Sequence, residues 1–249
     1  MLKSIRIPLV YLLAIALTGC SAMGTRDNAD TMRELQGLKS QLKAMNDRLD
    51  RFEERLQQDP QMARFDVKLG DSPRLGSPDA TVAVVEFADY QCPYCQRFQS
   101  LVFPFLKKSY IDDGKVLFIF KNLPLDFHAH AHGAAIAATC AGEQGKYWDY
   151  QAALFDHQDQ LGNDYYVEVA KKQELDIDRF EECLQDKAAA AKVDADLTYG
   201  GALGVDGTPS FFIGRLDENA NVADAVRIVG AQPLPVFEQT IDGLLKARN

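Results

Sequence analysis

The sequence predicts an α/β domain with a helical block inserted in its middle, preceded by a separate helix that carries a coiled-coil repeat. Three features carry this reading. The run Thr81 to Phe87 is almost wholly apolar and β-branched, as expected of a central strand buried on both faces. Further strand-like runs lie at Lys115 to Lys121, Ser210 to Ile213 and Val226 to Val229, whereas the stretch from about His128 to Leu203 has a helical pattern. Upstream, Leu35, Leu38, Leu42, Met45, Leu49, Phe52 and Leu56 step by alternating threes and fours, the a/d spacing of a heptad repeat. With 249 residues, 47% hydrophobic and 25% charged, the chain has room for one main domain and an appendage.

In chain order, the first element is a processing segment. Lys3 and Arg6 form a basic start, and the apolar run Ile7 to Leu17 is shorter than the ~20 residues that span a bilayer. It ends in Leu17-Thr18-Gly19-Cys20, which resembles the bacterial lipobox. That resemblance implies removal of residues 1–19 as a signal peptide, acylation of Cys20, and a tether over residues 20–30. Several acyl chains anchor far more firmly than one. Ser21, rather than Asp, after Cys20 points by the same resemblance to the outer membrane of a Gram-negative cell. The alternative is a plain secretory signal with a chance cysteine at the cleavage point.

Residues 31–58 form the expected coiled-coil helix. With Leu35 at position a, a parallel pairing sets Glu34 against Lys39, Gln41 against Asn46 and Arg48 against Glu53, which favours self-association through residues 34–57. A single amphipathic helix packed on the main domain or on a membrane surface is the alternative. Gln57 to Pro60 ends the helix, and Phe65, Val67 and Leu69 alternate with polar residues as in a strand. A turn-rich stretch from Gly70 to Asp79 then leads into the buried run, and a last helix is expected from about Leu234.

The chemistry is carried by Cys92-Pro93-Tyr94-Cys95, which follows the buried strand directly and opens a helix. Pro93 suits the first helical position, where a missing N–H costs nothing. Cys92 then lies at a helix N-terminus, whose free N–H groups and dipole stabilise a thiolate, so it is the candidate nucleophile. Cys95 lies one turn deeper on the same face and is the candidate resolving thiol, because exchange runs through a mixed disulfide that only a nearby second thiol can discharge. Half of a zinc site would need two more ligands, and the other cysteines form no second CxxC, so no metal is expected. Of five cysteines, Cys20 and the CxxC account for three, which leaves Cys140 and Cys183 as a possible second pair.

The segments Leu75-Gly76-Ser77-Pro78-Asp79-Ala80, Val85-Glu86-Phe87-Ala88-Asp89-Tyr90-Gln91-Cys92-Pro93-Tyr94-Cys95, Cys140-Ala141-Gly142-Glu143-Gln144-Gly145-Lys146-Tyr147-Trp148 and Leu203-Gly204-Val205-Asp206-Gly207-Thr208-Pro209-Ser210-Phe211-Phe212-Ile213 resemble blocks of the DsbA-like branch of the thioredoxin superfamily. The resemblance covers roughly residue 65 to the C-terminus, a thioredoxin fold over residues 65–249 with its helical insertion at about 128–203. It leaves the coiled coil uncovered, although ScsC-like members are similar in adding an N-terminal oligomerising segment. It implies that Pro209 is cis and faces the Cys92–Cys95 pair, that the backbone of Thr208 pairs with an extended substrate segment, and that Glu86 is a buried acid able to relay the proton of Cys95. Without it, Pro209 would read as an ordinary turn proline and Glu86 as a strand residue reaching solvent. The dipeptide Pro93-Tyr94 departs from the Pro-His of the best-known DsbA, and the redox poise is not legible from it.

Cys140 and Cys183 read as a structural disulfide, since buried free thiols are a hazard in a disulfide-exchanging compartment; two small core residues that never meet is the alternative. His128, His130 and His132 alternate, with no nearby acid at a ligand spacing. The glycines at 200, 201, 204 and 207 read as turn residues, and Tyr147, Trp148 and Tyr150 as core packing. A net charge of -9 without a long basic run argues against a phosphate-backbone partner, so no nucleic acid is expected. The reading is therefore a periplasmic, lipid-anchored thiol-disulfide oxidoreductase that forms or isomerises disulfides in exported cysteine-containing proteins. It needs no cofactor, is reset by a membrane redox partner and self-associates. A non-catalytic envelope lipoprotein, a scaffold or surface antigen on the same fold, is the competing class.

Overall fold

The computed structural model of the chain describes residues 31–51 and 63–247. The signal segment, Cys20, the tether and the last two heptad positions, Phe52 and Leu56, lie outside the described residues. The chain divides into two compact units, Met1–Gln58 and Asp59–Asn249.

In the first unit, residues 31–51 form helix α1. Its stripe of Met32, Leu35, Leu38, Leu42, Met45 and Leu49 is about half exposed at every position. The apolar spacing that makes this helix amphipathic therefore has no covering surface within the helix itself.

The second unit is a six-stranded sheet with helices on it, in the strand order β1-β6-β5-β3-β4-β2. The strands are β1 (Arg64–Val67), β2 (Arg74–Leu75), β3 (Val82–Ala88), β4 (Val116–Asn122), β5 (Ser210–Leu216) and β6 (Val222–Val229). Neighbours β3 and β4 are parallel and the other pairs antiparallel. All of β3 is buried, as its apolar composition demands of a strand covered on both faces. Helices α2 (Pro93–Leu101) and α3 (Phe103–Leu106) and the π-helical turn Lys107–Ile111 make the crossover from β3 to β4.

Between β4 and β5 the chain inserts five helices, α4 (Ala131–Glu143), α5 (Tyr147–Asp156), α6 (Asn163–Lys172), α7 (Ile177–Leu184) and α8 (Lys187–Ala202), before α9 (Leu234–Lys246) closes the domain. Asp176 and Asp186 cap α7 and α8 by accepting from the N–H groups of Arg179 and Ala188. The expected α/β fold with a helical insertion is thus the fold observed.

Three cores hold the domain. Phe98, Phe118, Phe211 and Phe237 fill one face of the sheet beneath α2 and α9, and Phe87, Leu117 and Phe212 fill the other. The third belongs to the inserted block, with Tyr150, Phe155, Tyr166 and Phe180, and it continues without a break into Tyr90, Cys92 and Cys95. The insertion is therefore packed directly under the dithiol. Tyr147 and Tyr150 are core residues, while Trp148 is only partly buried and donates its indole N–H to the Arg74 carbonyl.

Two local expectations fail for physical reasons. Gly200 and Gly201 are not turn residues but lie in the last turn of α8. A Cβ at Gly200 would come 2.5 Å from Leu123 and 3.2 Å from Phe87, so glycine is there because the helix lies almost on the sheet. Of the four glycines, Gly204, with φ +70, makes the left-handed turn that stops α8. The helical pattern read from about His128 also begins later, because α4 starts only at Ala131 and His128 lies in the preceding loop.

Cys140 of α4 and Cys183 of α7 are joined by a disulfide, with Cα atoms 5.7 Å apart and 43 residues of sequence separation. Closing a loop of that length removes about 4 kcal/mol of chain entropy from the unfolded state on the simplest model. A second clamp is polar. Lys121 of β4, almost fully buried, directs its ammonium to Asp196 Oδ1 of α8 at 3.0 Å, Ser72 Oγ at 2.7 Å and the Leu69 carbonyl at 3.2 Å. The other Asp196 oxygen accepts the backbone N–H of Asn122 at 3.0 Å. Sheet, inserted block and the loop before β2 are pinned at one point.

Candidate active site

Cys92 is the N-cap of α2, with extended backbone angles (φ -75, ψ 122) and Pro93 at the first helical position. This is how proline and a helix start are expected to combine, and it turns the free N–H groups of the first turn toward the Cys92 sulfur. Cys92 and Cys95 are both free thiols. Cys95 has no exposure, and Cys92, at 4%, is more enclosed than a helix-terminal nucleophile was expected to be. The Cys92 sulfur lies against the loop ahead of β5. The Thr208–Pro209 peptide is cis, and the Cys92 thiol donates to the Thr208 carbonyl at 3.4 Å.

The two thiols are driven apart in acidity. Hydrogen bonding from Cys95 is the main cause that lowers Cys92, aided by Thr208 and by the backbone N–H groups of Cys95 and Tyr94; against the cost of burial they hold it at about 6. The Thr208 hydroxyl has no partner while Cys92 is a thiol, and so stands free to donate to the thiolate. Burial raises Cys95 well above the usual thiol range, and the neighbouring Cys92 adds to the rise. One sulfur is thus an anion near neutrality and the other stays protonated, which is the asymmetry that stepwise exchange requires.

Glu86 lies on β3 with no exposure, and burial pushes its carboxyl well above the usual carboxylate range. A hydrogen bond from Gln99 partly offsets this, and the charge of Cys92 adds to the rise.

Several residues that shape the site were not legible in the sequence. Asp89, buried in the turn before Cys92, accepts the N–H of Gln91 at 2.7 Å through one oxygen. Through the other it accepts the N–H of Leu125 at 2.7 Å and pairs with His128 Nδ1 at 2.8 Å. His128 thus does have an acidic partner, from a position too distant in sequence for spacing to disclose. Two glutamines join α2 to the insertion: Gln158 donates to the carbonyls of Tyr90 and Cys92 at 2.7 and 3.0 Å, and Gln96 donates to that of Phe155 at 2.7 Å. Arg227 of β6 grips the loop ahead of the cis peptide through the Gly204 carbonyl at 2.9 Å and Asp206 at 3.5 Å. Among the described residues no cluster of His, Cys, Asp or Glu is placed to hold a metal ion, and no helix is long and apolar enough to cross a membrane.

Comparison with known proteins agrees with this geometry. The thioredoxin family model Thioredoxin_4 matches residues 68–229. The chain is 31% identical over 152 residues to disulfide bond formation protein D of Bacillus subtilis, covering 57% of this chain and 67% of that protein. It is 37% identical over 139 residues to the Na(+)/H(+) antiporter NhaA 3 of Salinispora tropica, but that match spans 55% of this chain and only 21% of the antiporter. Among solved structures, alpha-DsbA1 of Wolbachia pipientis superposes with a TM-score of 0.65 at 30% identity, over 73% of this chain and 94% of that one. The family match, the disulfide-forming relative and the superposed fold agree with one another, and the chain belongs to the thioredoxin family, in its DsbA-like branch.

Proposed function

We propose that this chain is a thiol-disulfide oxidoreductase that exchanges disulfides with exported proteins through Cys92 and Cys95. The single observation that carries the proposal is the pairing of a low-pKa sulfur, Cys92 at about 6, with a buried, protonated Cys95 under a cis Thr208–Pro209 peptide. In the oxidising direction, a substrate thiolate attacks Cys92 of the Cys92–Cys95 disulfide. The S–S bond breaks, and Cys95 leaves with the electron pair and takes a proton, for which Glu86 is the nearby buried acid. A second substrate thiolate then attacks the substrate sulfur of the mixed disulfide, so that the substrate is oxidised and Cys92 departs as the stabilised thiolate. Lowering Cys92 favours this last departure and the reduced form, which sets the centre on the oxidising side of an ordinary dithiol.

The setting is part of the same proposal. The lipobox-like Leu17 to Cys20 segment supports a lipid-anchored periplasmic protein at the outer membrane, with a membrane redox partner that reoxidises the dithiol. The uncovered stripe of α1 supports self-association through residues 34–57, which would place several dithiols around a shared space and favour isomerisation of wrongly paired substrates.

The test uses the chain without residues 1–20, assayed on a reduced and on a scrambled test protein. It is expected to sediment as an oligomer at micromolar concentration, to oxidise the first substrate and to rescue the second. Removing residues 21 to 60 as well is expected to give a monomer that oxidises at the same rate but isomerises several-fold more slowly. No turnover of either substrate would refute the oxidoreductase reading, and equal isomerisation by both forms would refute the role of the helix.

A further inference from the structure

Glu86 is enclosed by hydrocarbon along the sheet, its register partners being Phe120 on β4 and Phe211 on β5. Its Oε2 accepts a hydrogen bond from Gln99 Nε2 at 2.8 Å, and its Oε1 has no hydrogen-bond partner among the described residues. Gln99 stands on α2 four residues after Cys95, one turn along the same face, and is itself half-buried rather than enclosed. The ionisable groups that bear on Glu86 are Cys92 and Cys95 of α2, Tyr90 in the turn after β3 and Tyr147 of α5. Burial keeps both tyrosines neutral, since each is pushed above its ordinary range. Among the described residues no cation is hydrogen-bonded to the carboxyl, and the amide of Gln99 is the group that stabilises its charged form.

We propose that Gln99 is a positioning residue for proton transfer at the dithiol: it ties down one oxygen of Glu86, leaves the other to exchange a proton with Cys95, and so sets the pH range in which Cys95 can act. This rests on the exchange reading above. In the resolving step the Cys95 proton passes to the Glu86 carboxylate, and the Cys95 sulfur attacks Cys92 in the mixed disulfide. The Cys92–Cys95 bond forms while the bond from Cys92 to the substrate sulfur breaks. The substrate thiolate leaves with the electron pair and takes a proton from water, so the dithiol is oxidised and the substrate reduced. An amide donor favours a carboxylate over its acid, and without it a buried carboxyl holds its proton to higher pH.

The experiment follows the reduced, full-length unlipidated protein with oxidised glutathione across pH 5 to 10, by acid quench and mass analysis. Formation of the mixed disulfide on Cys92 is thereby separated from its resolution by Cys95. Gln99→Leu and Gln99→Met are both expected to leave formation unchanged and to move the midpoint of resolution up by about one pH unit, roughly tenfold slower on the acidic limb. In a Glu86→Gln background the same substitutions are expected to shift nothing. A packing role would instead slow resolution equally at every pH and in both backgrounds, which would overturn the inference, as would an unmoved midpoint. A wild-type protein that never forms the mixed disulfide would overturn the exchange reading itself, and this inference with it.

Discussion

Cys92→Ser is expected to reduce disulfide exchange to the uncatalysed background, and Cys95→Ser to stall the protein as a stable mixed disulfide with its substrate. The two outcomes differ because the two sulfurs differ. With Cys92 at about 6, about 90% of it is thiolate at pH 7, against a few per cent of an ordinary thiol. A serine hydroxyl in its place is neither a nucleophile nor a leaving group at that pH, although the N-cap geometry of α2 would survive. In Cys95→Ser the attack by Cys92 is untouched, but the site has lost its own second thiol, the group that would break the new bond. Mass analysis of the quenched reaction measures both. Residual turnover in Cys92→Ser, or the lack of an adduct in Cys95→Ser, would mean that the roles are wrongly assigned.

A large loss of stability is expected from breaking the clamp between sheet and insertion. Asp196→Ala removes the carboxylate paired with the buried Lys121 ammonium and also the acceptor of the Asn122 N–H. What remains around Lys121 is a serine hydroxyl, a carbonyl and the face of Tyr199, 5.4 Å from the ammonium. Breaking a buried pair on one side costs about 3–5 kcal/mol, well above the cost of replacing both partners by hydrocarbon. For a domain of this size that lowers the melting temperature by on the order of 10 °C. Lys121→Met with Asp196→Leu is expected to recover most of the loss, because neither charge is then left without its partner. Thermal unfolding of the three proteins is the check, and a single variant that melts with the wild type would show that water reaches the pair.

The parts of this molecule that could be read in the sequence are those written in short-range patterns. The β-branched run of β3, the proline after Cys92 and the heptad steps of α1 each act within a few residues, where strand, cap and coiled-coil rules operate. The fold class followed from these and from the family resemblance. The hidden parts are contacts between residues distant in the chain. Asp89 with His128, Gln158 with Cys92, Gln99 with Glu86 and Lys121 with Asp196 are polar pairs in which at least one member looks like an ordinary surface residue until the fold encloses it. Gly200 shows the same limit from the other side, since only the closeness of α8 to Leu123 and Phe87 distinguishes a packing glycine from a turn glycine. The contact of the Cys92 sulfur with Thr208 likewise joins residues more than a hundred positions apart.

The central claim is that the fold holds Cys92 as a thiolate beside a protonated Cys95, and it is tested most directly by titrating the reduced protein. The rate of Cys92 alkylation by iodoacetamide, with thiolate absorbance near 240 nm as a second readout, is followed from pH 4 to 10. A group lowered in the folded state is ionised above that value and protonated below it. The rate is therefore expected to fall tenfold per pH unit below about 6 and to be flat from about 7 upward, with Cys95 unmodified throughout. The same ionisation stabilises the folded reduced form, fully above the ordinary thiol value of ~8.5 and not at all once the pH has dropped through about 6. A rate that keeps rising to a midpoint of 8.5 or higher, with both cysteines modified alike, would contradict the account.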